Sequence, residues 1–554
     1  MTDTDYRSIS IDEIDGLNNT ISSVVDAAIA SASESTGGGR KIDDQQVLTE
    51  RIAYVATELA ACKALAAYSR QAGEAGAADS VMLDQAAVFS AGVAASLLGE
   101  MALAGPDYGL PDGLFEQTIG SDTTRALLCE FGDEKRVRGI GRAVAESRGI
   151  NNGWLAYEDA VMVRDSVRAF ADQEVEGLAE QIHRDDDLVP DSLISKMAEM
   201  GYFGMSVPEE YGGLGMGNLA MIMTTEELSR VSLAAAGSLI TRPEILTKAL
   251  LQGGTEEQKT VWLSRVASGE VMVGISVTEP DVGSDVASVA CKAEAANQDG
   301  RKGYLINGAK AWCTFAGRAD VLAVLLRTSS DMSAGAKGLS LFMVEKDRFR
   351  GHEFTMKQPG GGSLSGKADR TPGYRGMHSF TLAFEDYFVP AENLVGEEKG
   401  LDRGFYLQMN GFAAGRLQTG GRATGLGQAC LEAAAGYACD RSQFSRPIID
   451  FQLTQYKLGL MSSRLQGARQ LTYHAALEFD KDESASLVPA MAKLLACDVA
   501  VAVSQEAQLL HGGWGYAEEY PISRYVVDAQ VLPIFEGVKP ILELKVIGRQ
   551  LLAA

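Results

Sequence analysis

Two strings in the chain combine residue types that can do chemistry together. In VTEPDVGSDVAS (277–288) an apolar run breaks into a Gly/Ser turn. In NGAKAWCTFAG (307–317) an indole, Trp312, stands two residues before a hydroxyl, Thr314. Turn backbone, hydroxyls and one aromatic face are the groups that hold a flat, acceptor-rich ring. Trp312 by itself reads equally well as a core aromatic; the joint strings favour ligand binding. A third candidate is Glu536 in IFEG. A carboxylate among apolar neighbours titrates high and can act as a general base, whereas most glutamates are merely solvated.

The elements that must carry these residues follow from hydrophobic period. Residues 271–395 hold β-rich runs (VMVGISV, SVACKAEA, YLINGAKAW, DVLAVLLRT, GLSLFMVE, HSFTLAFEDYFV). Asp299-Gly300 and Asn307-Gly308 read as hairpin turns, and 358–376 as a Gly-rich loop. Residues 155–270 and 396–554 carry helical spacing, the clearest run being YKLGLMSSRLQGARQLTYHAALEF. Residues 1–154 are Ala-rich, with helical runs near 49–70 and 84–104 and a linker-like SASESTGGGRK at 31–41. Runs of strands between runs of helices predict an α+β chain.

Composition narrows the partners. The net charge is −24, which opposes nucleic acid and anionic lipid. Seven scattered cysteines without a C-x-x-C predict a reducing, cytoplasmic setting rather than a disulfide scaffold. Five histidines (His183, His352, His378, His474, His511) show no ligand spacing, so no metal site is expected. No uninterrupted apolar run reaches roughly 18 residues, so no membrane span is expected. The acidic opening MTDTDYRSISIDEIDG resembles neither a secretory signal nor a transit peptide.

With VPEEYGGLG (207–215), GTEEQK (254–259), RSQFSRPIIDFQ (441–452), HGGWGYAEEYP (511–521) and PIFEGV (533–538), the two strings resemble the acyl-CoA dehydrogenase family. The resemblance implies an N-terminal helical domain (155–270), a central β-barrel-like domain (271–395) and a C-terminal four-helix bundle (396–554), behind an N-terminal helical extension (1–154). It implies FAD as cofactor. Val277, Thr278, Gly283 and Ser284 would serve the flavin, with Trp312 beside the ring and Thr314 near its N5 edge. Arg441, Phe444 and Gln452, with Gly512 and Gly513, would serve the diphosphate and adenine end, in part on a neighbouring subunit. That implies a homo-oligomer, a tetramer or a dimer.

In the implied reaction Glu536 takes the α-proton of an acyl-CoA thioester while a hydride leaves the β-carbon for flavin N5. The backbone N–H of the Glu and a flavin hydroxyl would stabilise the enolate oxygen. Ser284, Arg416, Phe535 and Gly537 would line the substrate. Some relatives keep the base immediately before the helical Arg; here that position is Gly415, which favours Glu536. Departures occur at Leu509 and at Val538, Lys539 and Pro540, where the family carries other FAD contacts. Pro540 also marks a helix start.

The long extension, the Gly-rich insertion at 359–366 and EGVKP direct the resemblance to a branch that oxidises a short, branched dicarboxylic acyl-CoA. Such a substrate needs a fixed cation or donor at the far end of its pocket, and the sequence does not single one out. Electron-transfer flavoprotein is the implied acceptor. Isovaleryl- or glutaryl-type dehydrogenases, an acyl-CoA oxidase and a flavin monooxygenase remain alternatives, and a DNA-binding flavoprotein is disfavoured by the charge. The extension is expected to cover the core and shape access to the acyl or CoA end.

Overall fold

The computed structural model describes residues 6–553; the first five residues of the acidic opening lie outside them. The longer helices are α1 (Ile11–Thr36), α2 (Gln46–Glu74), α3 (Ser80–Ala104), α4 (Glu134–Glu146), α5 (Gly217–Val231), α6 (Thr241–Gly253), α7 (Gly404–Asp440), α8 (Gln452–Lys481) and α9 (Leu487–His511). The strands are β1 (Val273–Ser276), β2 (Lys292–Gln298), β3 (Arg301–Thr314), β4 (Val321–Arg327), β5 (Leu339–Glu345), β6 (Glu353–Lys357), β7 (Ser363–Ala368) and β8 (Ser379–Pro390). They form two compact units. One runs from Arg164 to Gln418; the other joins everything up to Val163 with everything from Thr419 on.

In the helical unit the extension and the C-terminal helices share one core. Helix α1 starts on a capping box between Ser10 and Glu13 and buries Ile14, Leu17, Ile21, Val24, Val25 and Ala28 on one stripe. It runs through Thr36, so the expected linker at 31–41 is instead the end of a helix. Ala32 and Thr36 continue its buried face, and Gly37 ends it in the left-handed region at φ 61. Helices α4 and α8 cross on glycines. A Cβ on Gly141 would lie 1.8 Å from the Gln455 carbonyl oxygen, and one on Gly459 would lie 2.0 Å from that of Val137. Only hydrogen fits at either point.

Two helical stretches, Ser80–Tyr108 and Leu487–Tyr516, are long and apolar enough to cross a membrane by length and composition. Counting unbroken apolar runs misses this, because scattered small polar residues interrupt each stretch. Their most apolar windows are 56% and 72% buried in protein, so the apolar surface serves packing.

The sheet unit is built on one eight-stranded sheet, ordered β1-β4-β2-β3-β8-β7-β6, with β5 off this path and antiparallel to β4. Phe342, Leu364, Phe380, Leu382 and Val389 lie in its core. Asp299-Gly300 forms the expected β2–β3 hairpin, with φ 53 and φ 83. Asn307-Gly308 does not turn the chain. It is a bulge inside β3, where the register against β8 shifts between Ile306 and Gly308. Gly308 is required by close packing, since a Cβ there would meet Cys291 at 2.8 Å. The 358–376 segment is not simply a loop, because β7 pairs with β6 and β8 within it. Its Gly run supplies the turn, and SLSGKA alternates buried and open positions.

Candidate functional site

The two motif strings are held together by a buried ion pair. Lys310, fully buried, donates from Nζ to Glu279 Oε1 (2.9 Å) and to the Val277 carbonyl (3.0 Å). Glu279 also accepts from the N–H groups of Ala290 and Cys291. The Ala311 N–H donates to the Thr278 carbonyl at 2.8 Å. Both carboxylate oxygens of Glu279 are thereby bonded and the Lys310 ammonium has two acceptors, the kind of provision a buried pair requires. Sequence reasoning singled out neither Glu279 nor Lys310, although an acid in one string and a base in the other, each amid apolar residues, was the available signal.

That corner presents Trp312. The register of β3 against β8 shifts between Lys310 and Cys313, and Trp312 adopts φ 58. A bulky residue in the left-handed region is strained, and strain of this kind concentrates at functional sites. The indole is 59% exposed, unusual for so large a ring. Thr314 shares a 3.0 Å hydroxyl contact with Ser379. Gly283 and Ser284 are exposed on the turn beyond β1, and a Cβ on Gly283 would meet nothing nearer than 3.9 Å. An open turn beside an exposed indole fits the flat ring expected there. Burial pushes the Cys313 thiol up to about 12 and the Cys291 thiol to about 11, so neither is a nucleophile at neutral pH.

The same unit carries Arg416, buried on α7 next to Gly415. Two residues on, Gln418 Oε1 accepts from the Thr225 hydroxyl of α5 (3.3 Å) and the Thr241 hydroxyl of α6 (3.2 Å). The first turn of α6 is thus fixed against this part of α7.

In the helical unit, Arg441, Gly512 and Gly513 line one cleft of about 580 Å³ with Tyr437 and His511. The two rings stack with centroids 4.3 Å apart. A Cβ on Gly512 or Gly513 would meet nothing within 4 Å, and Gly512 has φ 59. An Arg beside an open glycine backbone suits a diphosphate. Phe444 and Gln452 do not line this cleft. Phe444 tips a tight turn at φ 51 and is 89% exposed, and Gln452 is exposed at the start of α8.

Glu536 lies in a short loop at φ 54, followed by Gly537 at φ 99. The loop is tied at several points. Lys493 Nζ donates to the Gly537 carbonyl at 2.8 Å, and the Lys539 N–H donates to that of Pro533 at 3.0 Å. The Arg422 guanidinium lies 4.5 Å over the Phe535 ring. Pro540 opens the next helical turn, as expected. Lys539, one of the departures, reaches back to the extension. Its Nζ donates to Asp498 (2.5 Å), which also accepts from the Tyr54 hydroxyl (3.0 Å), and it lies 4.6 Å over the Tyr54 ring.

The histidines are less scattered than their spacing suggests. His352 and His378 stack with centroids 4.5 Å apart, and His378 Nε2 lies 3.2 Å from Asp186. Burial lowers the His378 pKa, against the opposing pull of Asp186. Arg375, 3.6 Å from the same carboxylate oxygen, already supplies a cation.

Three family models match the chain: the acyl-CoA dehydrogenase N-terminal domain at 157–270, the middle domain at 274–387 and the C-terminal domain at 402–552. The (2S)-methylsuccinyl-CoA dehydrogenase of Cereibacter sphaeroides is 40% identical over 412 residues, which is 74% of this chain and 72% of that one. The two chains are therefore similar in length. A protein from the structural study of the electron transferring flavoprotein of Acidaminococcus fermentans superposes with a TM-score of 0.64 at 31% identity, covering 72% of this chain and 98% of its own. Glutaryl-coenzyme A dehydrogenase in its glutaryl-CoA complex does so with 0.65 at 30% identity, covering 73% and 97%.

Proposed function

Since the chain belongs to the acyl-CoA dehydrogenase family and is an FAD-dependent acyl-CoA oxidoreductase, we propose that it oxidises (2S)-methylsuccinyl-CoA to mesaconyl-CoA. The observation that carries the substrate is the 40% identity to a methylsuccinyl-CoA dehydrogenase of similar length. FAD, when bound, supplies the two-electron acceptor. Trp312 and Thr314 would hold its ring end, and Arg441 with Gly512 and Gly513 its diphosphate end.

Glu536 takes the α-proton. Its loop geometry limits the directions the carboxylate can point, which favours a single aligned approach to a poor carbon acid. Lys493, through the Gly537 carbonyl, keeps the adjoining peptide from turning. Phe535, beside the base in sequence, has its ring held under Arg422. Arg416 and Ser284 would line the acyl and CoA path.

Electron-transfer flavoprotein is the proposed acceptor, supported by the relative studied with such a protein. The exposed Phe444 turn supports a homo-oligomer, since a ring 89% exposed gains from burial against another subunit. The acidic chain and its free cysteines suit a cytoplasmic setting.

Steady-state kinetics across acyl-CoAs test the substrate. Methylsuccinyl-CoA should give the highest kcat/KM, and equal rates on butyryl- or isovaleryl-CoA would sink the assignment. Peroxide release in air at the rate of anaerobic dye reduction would make the protein an oxidase instead.

A further inference from the structure

Three loops of the sheet unit bring together two histidines and a carboxylate that lie far apart along the chain. Asp186 follows the helix Glu176–Arg184, His352 precedes β6 and His378 precedes β8. A ring nitrogen of each histidine and an Asp186 oxygen all lie within 4.8 Å of one another.

Two contacts define the geometry. His378 Nε2 stands 3.2 Å from Asp186 Oδ1, and the two imidazole rings have centroids 4.5 Å apart with planes at 42°. Two ligand atoms on a tetrahedral zinc, with bonds of about 2.0 Å, are about 3.3 Å apart. The Asp186–His378 separation already has that value. The third ligand has little further to come. His352 is exposed, and it makes no side-chain hydrogen bond among the described residues that would have to break.

Each group is in the state a metal needs. His378 is 7% exposed, and burial lowers its pKa, so its ring is neutral at neutral pH. Asp186 supplies the negative charge. Arg375 stands near it without binding it. Its Nε is 3.6 Å from Oδ1, beyond hydrogen-bond reach, and donates to the Thr371 carbonyl (3.3 Å). Its Nη1 donates to the His183 carbonyl (3.0 Å). The guanidinium thus offsets part of the carboxylate charge and leaves the carboxylate lone pairs open.

We propose that Asp186, His352 and His378 form a binding site for a first-row divalent cation, zinc being the best match to two imidazoles and a carboxylate. The zinc would take the place of the proton between Asp186 and His378, the ring hydrogen passing to Nδ1. Three protein ligands leave a fourth position for water. The site reaches the flavin segment through the backbone. The His378 carbonyl accepts from the Phe315 N–H at 2.9 Å, and Ser379 shares its 3.0 Å hydroxyl contact with Thr314. A loaded site would therefore steady the Thr314 edge and slow the loss of FAD. Neither part depends on which acyl-CoA is oxidised.

The test is a zinc titration of the FAD-loaded protein, first stripped with a chelator, with bound metal counted by atomic emission after dialysis. Wild type should hold one zinc per chain with a Kd in the micromolar range or tighter. Asp186→Asn and His352→Asn should each weaken binding by roughly 100-fold or more. The second change is at an exposed position, where the fold is safe. His474→Asn, at an exposed histidine outside the cluster, should change nothing. Zinc-edge X-ray absorption should show two imidazoles bound to the metal. No stoichiometric zinc in the wild type, or equal binding in His352→Asn, would overturn the site.

FAD release, followed by the rise of flavin fluorescence on dilution, reads the second part. Zinc should slow it roughly 5-fold in the wild type and leave His352→Asn unchanged. Release unaltered by zinc in a protein that binds it would keep the metal site and overturn its link to the flavin segment.

Discussion

In the sheet unit, Trp312 is presented by a strand forced out of register, at a corner locked by the buried Lys310–Glu279 pair. In the helical unit, Glu536 rides a loop tied by Lys493 and, three residues on, by Lys539 to Asp498 and Tyr54. The first arrangement is closed: its charges are satisfied by neighbouring strands and backbone. The second is open: part of its support comes from a helix more than 480 residues away in sequence. A sheet fixes a side chain through register, whereas helices leave loop residues free unless something is brought to them.

That contrast can be broken by substitution. Glu536→Gln should lower turnover by about 100- to 10,000-fold while acyl-CoA binding persists, since only proton transfer is lost. Full retained activity would remove Glu536 from the chemistry and revive the monooxygenase alternative. Next in size is Lys310→Met, which strands Glu279. It should cost about 3–5 kcal/mol in denaturant unfolding and weaken FAD retention. Arg136→Met, which breaks the buried pair with Asp84 in the helical unit, should cost stability without touching FAD. Equal FAD loss in both variants would erase the distinction.

The two units should also differ in their response to pH. Burial raises Glu58 and Glu543 from 4.5 to about 7, and Lys539 opposes this at both. Their folded pKa values exceed the unfolded ones, so the folded state holds protons that the unfolded chain releases. Stability from this source is full below about pH 4.5 and is lost as pH rises to 7, by at most about 3 kcal/mol for Glu543. Hydrogen exchange should show protection of α2 and α9 falling over that range more than that of the sheet, and Glu543→Gln should flatten the slope. The smallest effect is expected from Tyr54→Phe. Loss of one hydrogen bond to Asp498 should cost about 1 kcal/mol and lower kcat a few-fold without changing KM. A change in KM alone would mean that Tyr54 does not act through the loop.

Much of this was legible in the sequence. The periods predicted the helix–strand–helix order, the joined strings drew attention to Trp312 and Thr314, and the apolar IFEG drew it to Glu536. The failures share a cause. Asn307-Gly308 has turn chemistry, but a long strand and the closeness of Cys291 made it a bulge. The glycines after Ser31–Thr36 suggested slack, yet their role was to stop a helix whose apolar stripe continued to its end. In each case tertiary packing decided between two uses of the same residues.

The link from Tyr54 through Asp498 to Lys539 has a consequence for ancestry. The boundary near residue 155 looks like a seam at which segments could be exchanged between genes. Recombination there would strand a lysine and an aspartate of the bundle against foreign side chains, three residues from the base. The two segments are therefore expected to be inherited as a pair, with changes at Tyr54, Asp498 and Lys539 arising together across descendants.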